Sequence, residues 1–211
     1  MLFTRMPPLV AAAVVSLPLV LGFGAAAFAE DAKAVPLRVR GAVVDFADHA
    51  LTVKTREGET VHITLTASWK ISSVARANMA DIKPGDFVGI ASAPTADGSD
   101  GALEVVIFPP AMKGTGEGSR PWDLKPNSTM TNATVADAVK SVDGRTLTVS
   151  YHGQEKKIDI PEGAPVVTFA SATEADLKPG AAVFIIAEKA ADGAVTAQRV
   201  VVGTNGVAPP M

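Results

Sequence analysis

Beyond residue 34, apolar and polar residues alternate with a period of two along most of the chain. Leu51 and Val53 flank Thr52 and precede Lys54, and Val61, Ile63 and Leu65 alternate with His62 and Thr64. A period of two places every second side chain on one face, so each run predicts a β-strand with one buried face. Turn formers punctuate the runs: Ala47-Asp48-His49, Arg56-Glu57-Gly58, Lys83-Pro84-Gly85 and Asp97-Gly98 first, then Asp143-Gly144, His152-Gly153, Lys178-Pro179-Gly180 and Asp192-Gly193. Asp-Gly between apolar runs is a hairpin signal, because glycine accepts the positive φ that tight turns need.

The order of these elements occurs twice. Ala80–Gly85 reads Ala-Asp-Ile-Lys-Pro-Gly, and Ala175–Gly180 reads Ala-Asp-Leu-Lys-Pro-Gly. Around them Ala42-Val43 aligns with Ala138-Val139, Leu51-Thr52-Val53 with Leu147-Thr148-Val149, Gly58 with Gly153, Ile63-Thr64-Leu65 with Ile158-Asp159-Ile160, and Val105-Val106-Ile107 with Val200-Val201-Val202. Each copy predicts about five strands, with a short helical piece (Val74–Asp81 or Ala170–Asp176) between the third and fourth. The expected fold is all-β: a tandem duplication of a five-stranded OB-like small barrel, residues 35–109 and 133–204, with a flexible tail at 205–211. A closed barrel buries its alternating face and hides most strand edges. A small SH3-like barrel or an open meander is the alternative plan.

The N-terminus changes the setting. Arg5 precedes an uncharged apolar stretch, Leu9 to Phe28, and Ala27-Phe28-Ala29 supplies small residues before Glu30 and Asp31. This predicts a cleavable secretory signal over residues 1–29, with the protein periplasmic or secreted. The other reading is a retained anchor, but Pro18, Gly22 and Gly24 make a poor continuous span. No stable membrane insertion is expected after cleavage. The chain has no cysteine, so no disulfide and no thiolate metal site.

Two features are not duplicated. In the fourth strand of copy two, Phe184 and Ile186 stand where copy one has Gly89 and Ala91, so both faces are apolar. That outward pair calls for cover by the rest of the chain, by a homodimer or by a partner. The connecting segment, 110–132, is rich in Gly and Pro but carries Trp122, between Arg120 and Asp123. One reading makes Trp122 an anchor pinning the linker to a barrel. The other makes it a stacking platform for a sugar or peptide, with Arg120 and Asp123 as hydrogen-bonding flanks.

The leader, the paired units with Lys-Pro-Gly turns and the segment Gly116-Glu117-Gly118-Ser119-Arg120-Pro121-Trp122-Asp123-Leu124 resemble an uncharacterised bacterial family. Its members are periplasmic proteins with tandem OB-like small β-barrel domains of unknown function. The resemblance implies a fold and a compartment, and supplies no catalytic residues.

Candidate chemistry is sparse. His49 and His152 fall in predicted turns and His62 on the polar face of a strand, so nucleophile, base and orienting group do not converge. No catalytic residue, metal or cofactor is assigned, and an enzyme is not expected. Asp97-Gly98-Ser99-Asp100-Gly101 lacks a calcium-loop pattern and predicts a hairpin turn. Gly114-x-Gly116-x-Gly118 neither follows a βαβ strand nor opens a helix, so it is no dinucleotide fingerprint. The net charge of −3 argues against nucleic acid, which requires a basic groove with exposed aromatics. The sequence therefore predicts a non-enzymatic binding or scaffold module that presents Arg120, Trp122, Asp123, Phe184 and Ile186 to an envelope protein or cell-wall glycan. The alternative is a soluble accessory protein that binds a metal or small ligand.

Overall fold

Twelve strands and three single turns of 3-10 helix make up the computed structural model of the chain, which describes residues 34–141 and 144–209 together with Met1. The predicted signal, apart from Met1, lies outside the described residues. The strands are β1 (Val35–Ala47), β2 (Ala50–Thr55), β3 (Thr60–Arg76), β4 (Phe87–Pro94), β5 (Asp100–Ile107), β6 (Gly118–Pro121), β7 (Thr129–Ser141), β8 (Gly144–Tyr151), β9 (Gln154–Pro161), β10 (Val166–Ala170), β11 (Ala182–Lys189) and β12 (Val195–Gly203). Among the described residues no helix is long and apolar enough to cross a membrane.

Five strands close a barrel. β1 pairs antiparallel with β2 and β11, β2 pairs with β3, β11 pairs with β12, and β12 returns to β3 in parallel. The alternation read from the sequence explains its interior: Val39, Val43, Leu51, Val53, Ile63, Leu65, Val183 and Ile185 are all buried in one cluster. β1 serves both β11 and β2, and it turns between them at Gly41, where any Cβ would collide with the Lys54 carbonyl. A second set of five, β4, β5, β7, β8 and β9, surrounds a second core of Val88, Ile90, Val105, Val135, Leu147, Val149, Ile158 and Ile160. It comes round through one parallel pair, Gly101 with Asp159. β6 adds to the outside of β7, and β10 joins β5 to β3.

The connectivity differs from the one read in the sequence, in which consecutive strands close each barrel. β3 meets β12 instead of β5, and β1 meets β11 instead of β4. Residues 35–109 and 133–204 therefore do not close one ring each; each ring takes three strands from one half and two from the other. The halves cross where β3 and β10 run antiparallel, with Val74 opposite Phe169. The helical pieces expected over Val74–Asp81 and Ala170–Asp176 reduce to 3-10 turns at Met79–Asp81 and Glu174–Asp176, because Val74–Arg76 and Ala170 are held in this ladder.

The repeated hexapeptide has a structural job at each site. Asp81 and Asp176 accept hydrogen bonds from the backbone N–H of Asn78 (2.7 Å) and Thr173 (2.8 Å), capping their turns. Ile82 and Leu177 plug the second and first cores. Gly85 and Gly180 take φ of 91° and 85° and donate to the carbonyls of Val135 and Val43. Val43 and Val135 thus stand in like positions, whereas the sequence alignment set Val43 beside Val139. Bulges at Val43/Asp45 and Val135/Asp137 occupy the same place.

A third core lies between the rings, made by Val74, Ala91, Val106, Trp122, Met130, Val167, Phe184 and Val201. It ties the crossing strands, the connecting segment and both rings together.

Candidate functional site

The connecting segment is built rather than loose. β6 is laid along β7, and residues 122–128 close a compact loop around Ser128, which is buried. Ser128 donates its hydroxyl to the carbonyls of Trp122 (3.1 Å) and Lys125 (2.7 Å), and the Trp122 N–H donates to the Ser128 carbonyl (2.8 Å). Asn127 supplies the left-handed residue the loop needs, at φ 60°, a conformation asparagine tolerates better than most residues. Trp122 is thereby placed against β11. Its ring lies 6.5 Å from that of Phe184, and both are buried.

Arginines surround the indole. The Arg38 guanidinium stands 4.2 Å from the ring centroid, Arg40 5.7 Å and Arg120 5.8 Å. Cations at such distances are attracted to the face of the ring. Arg38 and Arg40 arise from β1, where they lie opposite Ile186 and Phe184 in the ladder. Arg40 donates two hydrogen bonds to Asp123, at 2.8 and 3.2 Å, and Arg38 approaches the same carboxylate at 3.6 Å. Partial burial pushes the Asp123 carboxyl up, but the Arg40 hydrogen bond and the charges of Arg40 and Arg38 outweigh it and hold the group below its ordinary value. Arg120 donates to the Gly116 carbonyl at 2.9 Å. Burial, and then the charge of Arg38, lower its pKa.

In front of this cluster runs a groove of about 850 Å³. Phe108, Trp122, Met130, Phe169, Phe184 and Ile186 give it apolar walls, and Lys70, Arg120 and Arg199 bring three cations against the single carboxylate of Glu188. It draws on both rings and on the connecting segment. Its size falls in the roughly 300–1,000 Å³ range of small-molecule sites, which are mostly apolar with a few placed polar groups. Among the described residues, Trp122 Nε1 is buried and donates to no acceptor.

Four of the five residues singled out in the sequence, Arg120, Trp122, Phe184 and Ile186, line this groove. Asp123 does not line it, and its carboxylate is occupied by Arg38 and Arg40. The outward pair on β11 divides: Phe184 is covered by Trp122, whereas Ile186 is 57% exposed. Sequence reasoning missed Arg38 and Arg40, although their alternation with Leu37 and Val39 marks them as outward neighbours on one strand.

The histidines do not converge on this site. His49 holds a positive-φ turn and packs edge-on to Trp69, His62 shares a hydrogen bond with Thr52, and the His152 N–H donates to Glu117. Among the described residues no three His, Asp or Glu form a metal-holding group. Asp97 is held to about 2 by hydrogen bonds from Thr95 and Ser99 within its own hairpin turn. No family model, curated protein or solved structure matches the chain.

Proposed function

We propose that this chain is a non-enzymatic binding module of the bacterial envelope, exported by its leader, and that the groove between the two rings is its binding site. The observation that carries this reading is the meeting of Arg120, Trp122, Phe184 and Ile186 on one concave surface. These residues lie in two unlike segments of the chain, and none of them has a like residue at the matching position of the other half. The occupant is an envelope protein or a cell-wall glycan fragment, for which an apolar wall with Arg120 beside it is a suitable surface.

We read the architecture as a duplication of a five-stranded OB-like unit whose last two strands are exchanged between copies. Pairs displaced by one constant spacing support this. Thr64 with Thr196 matches Gly101 with Asp159, and Ile71 with Val200 matches Val105 with Val166. Val74 opposite Phe169 pairs a residue with its own counterpart, as a two-fold axis requires.

A second reading, a small-ligand accessory protein, is favoured by the groove's volume and its surplus of cations. The test of the site is a photoreactive residue at position 186, compared with one at the exposed position 157 on the far ring. Exposed to an envelope extract, position 186 should give adducts, protein or glycan by mass spectrometry, and position 157 should not. Equal labelling at both positions counts against the groove.

A further inference from the structure

We infer that the groove takes a single-chain amphipathic anion, a molecule whose apolar body lies along Phe108, Phe169, Phe184 and Ile186 and whose anionic head, a carboxylate or a phosphate, meets Arg120. The inference rests on the groove being the binding site and takes the second reading of it, a small-ligand site in place of a protein or glycan site, and it names that ligand.

Three observations converge. The first is composition: an apolar trough with a cationic rim, in a protein whose net charge is −3. The positive site is therefore a local arrangement and not a reflection of the whole surface. The second is the state of Arg120. It is half-buried, sits beside the charge of Arg38, and among the described residues bonds only to the neutral carbonyl of Gly116. Its companions Arg38 and Arg40 share Asp123, but Arg120 has no carboxylate of its own among the described residues. A guanidinium in a partly desolvated place gains most from an anion that brings two oxygens to its fork. The third is the exposed Ile186, which continues the apolar wall outward from the covered Phe184. An apolar chain laid there removes that surface from water at about 25 cal/mol per Å².

The arrangement also says what is refused. A cationic amphiphile would face Lys70, Arg120 and Arg199 with only Glu188 to answer it. A small acid such as acetate would satisfy Arg120 but bury no apolar surface.

The experiment is calorimetric titration of the full chain with laurate, dodecyl phosphate, dodecyl maltoside, dodecyltrimethylammonium and acetate, each below its micelle concentration. Laurate and dodecyl phosphate should each bind one to one and at least about tenfold more tightly than the neutral and cationic dodecyl probes, the tighter of the two naming the head group, with acetate silent. Arg120→Gln should weaken both dodecyl anions by about tenfold or more and leave dodecyl maltoside unchanged. Ile186→Glu, a change at an exposed position that leaves the fold intact, should weaken every dodecyl anion, while Lys157→Gln should change nothing. Equal binding of both dodecyl anions and dodecyl maltoside, or an Arg120→Gln variant with full affinity for both anions, would overturn the anion assignment. Absence of binding by every dodecyl probe would also overturn it. The binding-module reading is judged separately, by the adducts at position 186.

Discussion

β11 and β4 carry one inward pattern in two settings. Their inward residues match, Val183 and Ile185 against Val88 and Ile90, and all four are buried in their ring cores. Their outward residues do not match. β11 carries Phe184 under Trp122 and Ile186 in the open, whereas β4 carries Gly89 and Ala91. On β4 the space is taken by others: a Cβ at Gly89 would meet Asn132 Oδ1 and Phe108 Cε2, each at 3.0 Å. β7 lies alongside β4 and carries β6 on its other edge, so Asn132 reaches over Gly89. Inward positions answer to the barrel, and outward positions answer to what lies across from them. The groove arises from the second kind.

If that comparison is right, the inward pair should behave alike. Ile90→Ala and Ile185→Ala should each cost about 2–5 kcal/mol, the range for emptying a packed core site. Urea denaturation of both variants checks this, and a large inequality would break the equivalence of the rings. The outward positions should not behave alike. Gly89→Ala should cost about 1–3 kcal/mol, because a methyl group is forced against Asn132 and Phe108. Ile186→Ser should fall within about 0.5 kcal/mol of the parent, as exposed substitutions do. Both follow from the same urea series.

Between these lies Asp123. Asp123→Asn should cost roughly 1 kcal/mol at neutral pH, a charge-assisted contact discounted for its exposure. Its folded pKa is depressed, so its contribution is fully present above the unfolded carboxyl value of about 3.9 and is lost as pH falls through the lower folded value. The stability gap between parent and variant should therefore be constant from pH 7 to about 5 and close below about pH 4. A gap that persists in acid would show that the arginines are held by something else.

The strands, their turns and their inward faces were legible in the sequence because each depends on local alternation and on glycine geometry. The pairing of strands between the two halves of the chain was not. β4 and β5 present the same inward pattern whether they close on β3 or on β9, so the pattern carries no choice of partner. The Ala-rich run from Val74 hid the crossing. It suggests a helix by local propensity, and pairing with β10 overrides that preference. Of the site, the odd residues Trp122, Phe184 and Ile186 stood out by lacking counterparts. Arg38 and Arg40 did not, since outward arginines on a strand look like ordinary solvated charges until Trp122 is placed beneath them.

The central claim is that each ring is completed by the other half of the chain. The ladder sets Pro36 opposite Glu188, both exposed, whereas consecutive closure would set Pro36 beside Ala93, the counterpart of Glu188. Cross-strand neighbours lie about 4.5–5.5 Å apart at Cα, inside the span a disulfide accepts. The parent has no cysteine, so paired substitutions read cleanly. Pro36→Cys with Glu188→Cys should lose both thiols on mild oxidation and remain a monomer that runs faster than its reduced form on a non-reducing denaturing gel, because the crosslink closes most of the chain into one loop. Pro36→Cys with Ala93→Cys should keep both thiols. The reverse outcome would contradict the pairing of β1 with β11.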